Sequence, residues 1–211
     1  MKTLIILIVT GIFCSVHASA IAAPSNSLIA EYNQAASSGK SMQLVLSKLD
    51  ELKQQQAGDP LTLVYWGSAK TMTAKDEFWP WSKYNTAEAG LSAIDKSLLL
   101  LDNYNSQARH LGLDDRSLTQ ALAAITYTAV PKMFNRFERG YDLFITLLDS
   151  PQFRAVPAQY TSWVYARAIA AAINSEDLPR AKSWQQVLVN QAPTLPITQQ
   201  TAAMIANAQG E

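Results

Sequence analysis

Apolar residues recur at intervals of three and four along almost the whole chain, and this spacing restricts the folds open to it. Two such series are Leu44, Val45, Leu49, Leu52 and Leu91, Ile94, Leu98, Leu101. Residues at these intervals share one face of an α-helix, whereas a strand would show strict alternation. Glycine is scarce, and the prolines stand between the periodic runs. The pattern therefore predicts an all-α chain.

Prolines and acidic residues indicate where the helices begin. In Asp59-Pro60 the aspartate can cap a first turn, and proline is tolerated there because first-turn amides have no partner within the helix. Asp114-Asp115 and Glu176-Asp177 stand where a helix dipole favours acids. Because the connections are short, we expect consecutive helices to form antiparallel pairs. The predicted helices cover 25–37, 41–56, 60–75, 80–102, 115–129, 132–149, 157–174, 178–191 and 196–208.

Residues 1–22 are predicted to be a cleaved signal peptide. Lys2 precedes an apolar run that is short for a membrane span, and small residues follow it. Cleavage after Ala20 or after Ala22 fits equally well. An uncleaved membrane anchor is the alternative, although no basic stop-transfer cluster follows the run. Residues 24–211 then form one helical domain in the periplasm.

Removal of that segment takes away Cys14 and His17, which leaves no cysteine and only His110. This composition excludes disulfides, a catalytic thiol and a cysteine–histidine zinc site. The sequence also lacks a phosphate-binding loop and a dinucleotide fingerprint, so no cofactor is predicted. Basic and acidic residues number 17 each and form no basic block, which argues against a nucleic-acid partner.

Small residues recur at corresponding points of the predicted helix pairs. Gly90 and Gly140 follow a proline by nine or ten residues, and each precedes a bulky residue by four. Ala181 takes the same place in the last pair. A small residue at such a point lets a neighbouring helix approach closely, so we expect these positions to fix the stacking of the helices.

At these residues the sequence resembles tetratricopeptide repeats. Leu63, Trp66 and Gly67 are similar to the first helix of a unit, and the turn "NSEDLPRA" places Asp177 four residues before Ala181. The second-helix matches are Gly90, Ile94, Ser97 and Gly140, Phe144, Leu147. The resemblance covers roughly 60 to 193 and implies a short solenoid with a curved groove.

One unit departs from this pattern by about eleven extra residues. Gly67 and Gly90 are 23 apart where the standard repeat has 12, and the extra segment contains "KDEFWPWSKYN". This stretch and "VPKMFNRFERG" together look like a group of exported bacterial repeat proteins with a Trp-Pro-Trp segment. The resemblance to that group carries no activity with it.

Catalytic chemistry has few candidates in this sequence. His110 is the one imidazole left for nucleophilic catalysis, and no nucleophile-elbow motif accompanies it. The adjacent acid pairs belong to helix ends, and neighbouring residues on a helix point in different directions. A cell-wall or polysaccharide hydrolase would need distant acids, for example Asp76 and Glu138, to converge in a cleft.

Two predicted corners share an aromatic-x-basic-aromatic order. They are Trp81, Lys83, Tyr84 and Phe134, Arg136, Phe137. On a helix the two aromatics of each corner would share a face. One interpretation is that they wedge successive helix pairs together while the cation pairs with Asp76, Glu77 or Glu138. The other is a concave site where aromatic faces and a cation meet a peptide or an acidic ligand.

Repeat stacks of this kind offer a groove and no built-in catalyst, so we expect a non-catalytic scaffold that binds a protein or peptide partner in the envelope. The alternatives are an accessory protein of an envelope transporter and a carrier of a small hydrophobic ligand, which should have a closed pocket of several hundred cubic ångströms. The sequence leaves the oligomeric state open. The predicted partner-binding residues are Trp66, Trp79, Trp81, Lys83, Tyr84, Arg136 and Arg139.

Overall fold

A computed structural model describes residues 23–38 and 42–210. The predicted signal peptide therefore lies outside the described residues. Helices make up most of the described chain, and the all-α prediction is confirmed. The α-helices are α1 (Asn26–Ser38), α2 (Gln43–Gln55), α3 (Pro60–Thr73), α4 (Pro80–Leu100), α5 (Asp115–Ala129), α6 (Phe137–Asp149), α7 (Pro151–Arg154), α8 (Ala158–Asn174), α9 (Leu178–Gln191) and α10 (Pro196–Gln209).

The helices form pairs that stack in chain order. The pairs are α3 with α4, α5 with α6, and α8 with α9. The first helices of these pairs also contact one another, α3 against α5 and α5 against α8, and α10 continues this row. The second helices α4, α6 and α9 each pack against the first helix of the next unit, so they form an outer layer.

Glycines bring the paired helices close together, as their positions in the sequence predict. A Cβ on Gly67 would lie 2.5 Å from the carbonyl oxygen of Gly90 and 2.7 Å from Cγ1 of Ile94. A Cβ on Gly140 would lie 2.8 Å from Cβ of Tyr127 on α5. Real Cβ atoms do not approach so closely, so these contacts require glycine. Ala181, the third small residue of the series, is fully buried.

The helix starts also follow the sequence. Asp59 and Asp177 accept backbone hydrogen bonds from Thr62 and Arg180, and Asp114 caps α5 in the same way. Each cap satisfies an amide that has no partner within its helix. The helix bounds predicted around these residues agree with the structure to within about two residues.

The predicted helix 132–149 is wrong at its start. Lys132–Phe134 form a single 3₁₀ turn, Asn135 has φ of 52°, and α6 begins only at Phe137. A left-handed residue cannot continue an α-helix, and asparagine tolerates that conformation well. Phe134 and Phe137 therefore do not share a helix face.

Smaller differences lie in the connections. Arg109–His110 and Leu113–Asp114 pair as a two-residue β-hairpin (β1 and β2), where the sequence predicted only a connection. Its turn residues Leu111 and Gly112 have φ of 53° and 82°. The short helix α7 was not predicted. Leu44 is exposed, because the buried stripe of α2 runs through Val45, Leu46 and Leu49.

Among the residues described, no helix is both long and apolar enough to cross a bilayer. The two Ala-rich helices, α5 and α8, lie in the inner row. Their small side chains permit contact with neighbours on both sides.

Candidate functional site

A groove of about 1180 Å³ opens on the inner row of helices. Its floor is the face of α5 that carries Leu122, Ile125 and Ala129, residues spaced by three and four. The side chains of Tyr84 and Tyr160 at its walls are each 41% exposed, and that of Met133 is 70% exposed. The site is therefore an open groove rather than an enclosed cavity. We refer to it below as the groove.

Four further helices, α1, α3, α4 and α8, surround the floor. Tyr32 and Ala36 of α1 line one wall, and Tyr160 and Trp163 of α8 line the other. Pro80, Lys83 and Tyr84 from the start of α4 close one end, together with the loop before α6. The lining is mainly apolar and rich in aromatic residues. Such surfaces typically bind a ligand by burying apolar area that was in contact with water.

Helix α1 is held in place by contacts to α3 and to the hairpin. The ring of Tyr32 meets that of Tyr65 edge to face with centroids 5.0 Å apart, and its hydroxyl lies 3.8 Å from Sδ of Met72. Burial raises the pKa of Tyr32 to about 12. At its start, Asn26 Oδ1 lies 2.9 Å from Nδ1 of His110. These contacts place α1 along the groove as a wall.

The groove has two chemically different ends. Leu111, at the hairpin turn, lines it near Tyr160, and a Cβ on Gly112 would lie 2.5 Å from Cδ1 of Tyr160. Lys75 and Lys83 lie at the opposite end, where α3 finishes and α4 begins. Arg167 follows Tyr160 by seven residues, which is two turns farther along α8 from the hairpin. The lining at the hairpin end is uncharged and that at the other end is cationic.

None of the described residues that line the groove is acidic. Lys83 Nζ donates to the backbone oxygen of Lys75 at 2.8 Å, so the two lysines are held near each other. Glu77, which lies between the two lysines in sequence, accepts from Ser82 at 2.8 Å and from Thr86 at 3.3 Å, and the exposed Asp76 does not line the groove. Lys83 and Tyr84 are the two predicted site residues that line the groove.

Trp79 and Trp81 lie outside the groove, at the corner between α3 and α4. Their rings stack with centroids 4.7 Å apart, and Phe78 packs edge to face on Trp79 at 4.8 Å. All three are more than half exposed. Tyr84 turns the other way and stacks on Phe134 at 5.3 Å, so α4 is joined to the loop before α6. Tyr84 and Phe134 therefore both join the helix pairs and line the groove, whereas Trp79 and Trp81 do not line it.

Arg136 and Arg139 converge on Asp95 of α4 and do not line the groove. Arg139 forms an ion pair with Oδ1 of Asp95, and Arg136 lies 3.1 Å from Oδ2. The Tyr127 hydroxyl donates to the same carboxylate at 2.5 Å. The pKa of Tyr127 is raised, mainly because the ring is buried and also because of this hydrogen bond. We call these four residues the Asp95 cluster. It connects α4, α5 and α6, and Arg136 pairs with Asp95 rather than with Glu138.

Trp66 lies apart from the groove as well. It is 9% exposed, its Nε1 donates to Asp50 at 2.6 Å, and Lys53 Nζ lies 3.3 Å above its ring. These contacts join α3 to α2. The structure thus brings together two of the seven predicted site residues in the groove and places the others in helix contacts or at the exposed corner.

The structure brings together one pair of buried carboxylates that sequence reasoning did not pair. The Tyr104 hydroxyl lies 3.1 Å from Asp59 and 3.0 Å from Asp115, and Ser106 donates to Asp115 at 2.7 Å. His110 Nε2 lies 3.5 Å from the other oxygen of Asp115. Asp59 caps α3 and Asp115 begins α5. The cluster ties the starts of two inner helices together.

In the part of the chain that the structure describes, no group of three or more histidine, cysteine or acidic residues is arranged to hold a metal ion. A small polar pocket of about 270 Å³ lies between α6 and α9, beside Asp149, Asp177 and Arg180. There Tyr141 donates to Asp177 at 2.8 Å, and this hydrogen bond lowers the pKa of the Asp177 carboxyl.

Sequence reasoning missed the groove residues of α1 and α8. Tyr160, Trp163 and Arg167 are large side chains at helical spacing on an otherwise Ala-rich helix. Such a stripe on an inner helix could have indicated an open face, since a fully packed face needs small residues. Tyr32 had no comparable signal, because the tertiary contacts with Tyr65 and Met72 place α1 beside α3.

Comparison of the chain with protein-family models, with curated proteins and with solved structures gave no match.

Proposed function

We propose that this chain is an exported, non-catalytic scaffold of tetratricopeptide-like units, and that it binds a segment of another envelope protein in the groove. The single observation that supports this function is the groove itself. It is open, apolar and larger than the sites of about 300–1,000 Å³ that hold small ligands. Stacked helix pairs commonly present such a surface to a peptide.

The dimensions of the floor suit a peptide segment. Leu122 to Ala129 covers eight residues of α5, or about 10 Å along the helix, and the groove continues past Val130 to Met133. An apolar stripe on a partner helix would match this length with side chains at intervals of three and four. The exposed rings of Tyr84 and Tyr160 lie at the walls, where such a segment would contact them.

A second candidate function is transport of a small hydrophobic ligand. The aromatic lining, with Tyr32 and Trp163 on facing walls, favours it. The open walls favour the scaffold, because a carrier gains affinity by enclosing most of its ligand. The two functions differ in what remains bound to the purified protein.

Site-specific photocrosslinking in cells tests the proposal. A photoreactive residue at Tyr160 should form a crosslink to a discrete protein. The same residue at Leu99, which is 69% exposed on the outer helix α4 and does not line the groove, should not. Equal crosslinking at both positions, or none at Tyr160 together with a small molecule that copurifies with the folded chain, would contradict the scaffold.

Export has its own test. The intact mass of the protein recovered from the periplasm should correspond to cleavage after Ala20 or Ala22. Recovery of the uncleaved chain from membranes would instead indicate the anchor.

A further inference from the structure

We infer that the groove selects partner segments that carry acidic groups, and that it orients them with these groups at the end formed by Lys75, Lys83 and Arg167. This inference rests on the proposed function and adds the chemistry of the partner. The occupant is a peptide segment with apolar side chains at one end and carboxylates at the other. The carboxylates of this segment are complementary in charge to the cations of the groove.

The charges that line the groove are unbalanced. The chain as a whole has equal numbers of basic and acidic residues. The described residues that line the groove include three cations and no acid. Because the whole chain is balanced in charge, this local excess is a property of the groove and not of the composition.

Two acids near the groove are already engaged, and Asp76, which follows Lys75 and is exposed, does not line it. Glu31 of α1 pairs with Lys48 of α2 at 2.5 Å. Glu77 accepts hydrogen bonds from the hydroxyls of Ser82 and Thr86. Neither carboxylate lines the groove. A ligand carboxylate would therefore meet cations without a competing acid on the lining.

The lining also differs in charge between the two ends of the groove. Lys75 and Lys83 are held at one end by the hydrogen bond from Lys83 Nζ to the Lys75 oxygen. Arg167 lies two turns from Tyr160 in the direction away from the hairpin. The lining at the other end, with Leu111, Gln159 and Tyr160, carries no charge. A segment with apolar side chains at one end and carboxylates at the other therefore fits the groove better in one orientation than in the reverse.

The test uses three short synthetic peptides that share the same apolar positions and carry glutamate, glutamine or lysine at the polar positions of one end. Binding of each labelled peptide to the purified protein is measured by fluorescence anisotropy at several salt concentrations. We expect the glutamate peptide to bind about tenfold more tightly than the glutamine peptide at low salt, because three partly exposed ion pairs contribute a few tenths of a kcal/mol or more each. The lysine peptide should bind most weakly. The preference should shrink as salt screens the charges.

Matched variants locate the effect. Lys75→Gln with Lys83→Gln should reduce the glutamate preference severalfold without weakening the glutamine peptide, and Arg167→Gln should reduce it further. Lys96→Gln with Lys182→Gln removes the same charge at exposed positions outside the groove and should leave the preference unchanged. Ile125→Glu, in the floor, should weaken all three peptides.

Each outcome decides between the two proposals. Equal binding of the three peptides, lost on Ile125→Glu, overturns the charge inference and leaves the scaffold standing. A preference that survives the lysine substitutions also overturns it. No binding of any peptide overturns the scaffold and the inference together. Binding of laurate in place of the peptides would assign the same cations to a carrier.

Discussion

Cationic and aromatic side chains occur both in the Asp95 cluster and in the groove, but the cations have an acidic partner only in the cluster. At the Asp95 cluster, Arg136 and Arg139 share one carboxylate and lie over the ring of Tyr127 at 5.9 and 5.4 Å. In the groove, Arg167 and Lys83 belong to a lining that is rich in aromatic residues and contains no acid. The first arrangement satisfies its charges internally, and the second leaves them available to a ligand.

Whether a cation has an acidic partner distinguishes a structural role from a binding role more clearly than its residue type does. A cation whose partner lies on another helix stabilises the contact between those helices. A cation held on an open apolar face contributes little to folding, since its charge is solvated there. If the comparison is correct, substitutions at the packed contacts should affect stability strongly, and equivalent substitutions in the groove should affect binding instead.

The largest effect is expected for Gly90→Val, at the closest packed contact. Its side chain would collide with the backbone of Gly67 and with Thr71 of α3, and backbone atoms cannot move aside cheaply. We expect the free energy of unfolding to fall by about 3 kcal/mol or more, measured by chemical denaturation. Gly58→Val is the matched control, because no atom lies within 4 Å of a Cβ there. Equal losses for the two variants would contradict the role assigned to Gly90.

The next largest effect is expected for Asp95→Ala. The substitution leaves Arg136 and Arg139 without their shared acid and Tyr127 without its acceptor. Because the cluster is partly exposed, we expect a loss of about 2 kcal/mol, below that of a fully buried pair. Asp142→Ala, on an exposed position of α6, should change stability by less than about 0.5 kcal/mol. A similar loss for both variants would contradict the stabilising role of the Asp95 cluster.

A smaller, pH-dependent effect is expected at Asp177. The Tyr141 hydroxyl lowers the pKa of this carboxyl, so the folded state favours its ionised form. The resulting stabilisation is complete above the ordinary carboxyl pKa of about 4 and is lost as the pH falls through the lower folded value. Asp177→Asn keeps a capping side chain and should lower stability by about 1 kcal/mol at neutral pH.

Denaturation curves at several pH values check this prediction. The difference between the native protein and Asp177→Asn should narrow as the pH falls below about 4. A constant difference across the range would mean that the charge on Asp177 does not stabilise the fold.

Most of the helical framework could be predicted from sequence, because its signals are local. Asp59-Pro60 and Asp177 cap helices that begin within one residue of them, and Gly67, Gly90 and Gly140 mark the close contacts. The start of α6 could not be placed, since Asn135 is compatible with a helix as well as with the left-handed conformation it adopts. The choice depends on tertiary contacts, among them the stacking of Phe134 on Tyr84.

The groove was harder to predict than the helices, because its residues come from distant parts of the chain. Lys83 and Tyr84 were predicted as site residues, but nothing local distinguishes them from Arg136 and Arg139. Only the position of Asp95, some forty residues before the arginines, decides which cations are paired. Composition and spacing identify candidates for a site, and the pairing of their charges requires the tertiary structure.

The smallest effects on stability are expected in the groove. Arg167→Met and Arg139→Met remove the same charge and leave an unbranched apolar side chain. Arg139→Met breaks an ion pair with Asp95 and should lower the free energy of unfolding by about 1 kcal/mol, whereas Arg167→Met should change it by less than about 0.5 kcal/mol. Thermal denaturation of both variants in one buffer measures the difference. A greater loss for Arg167→Met would show that this cation stabilises the fold, and the groove would then lose its unpaired charge as an argument for an acidic partner.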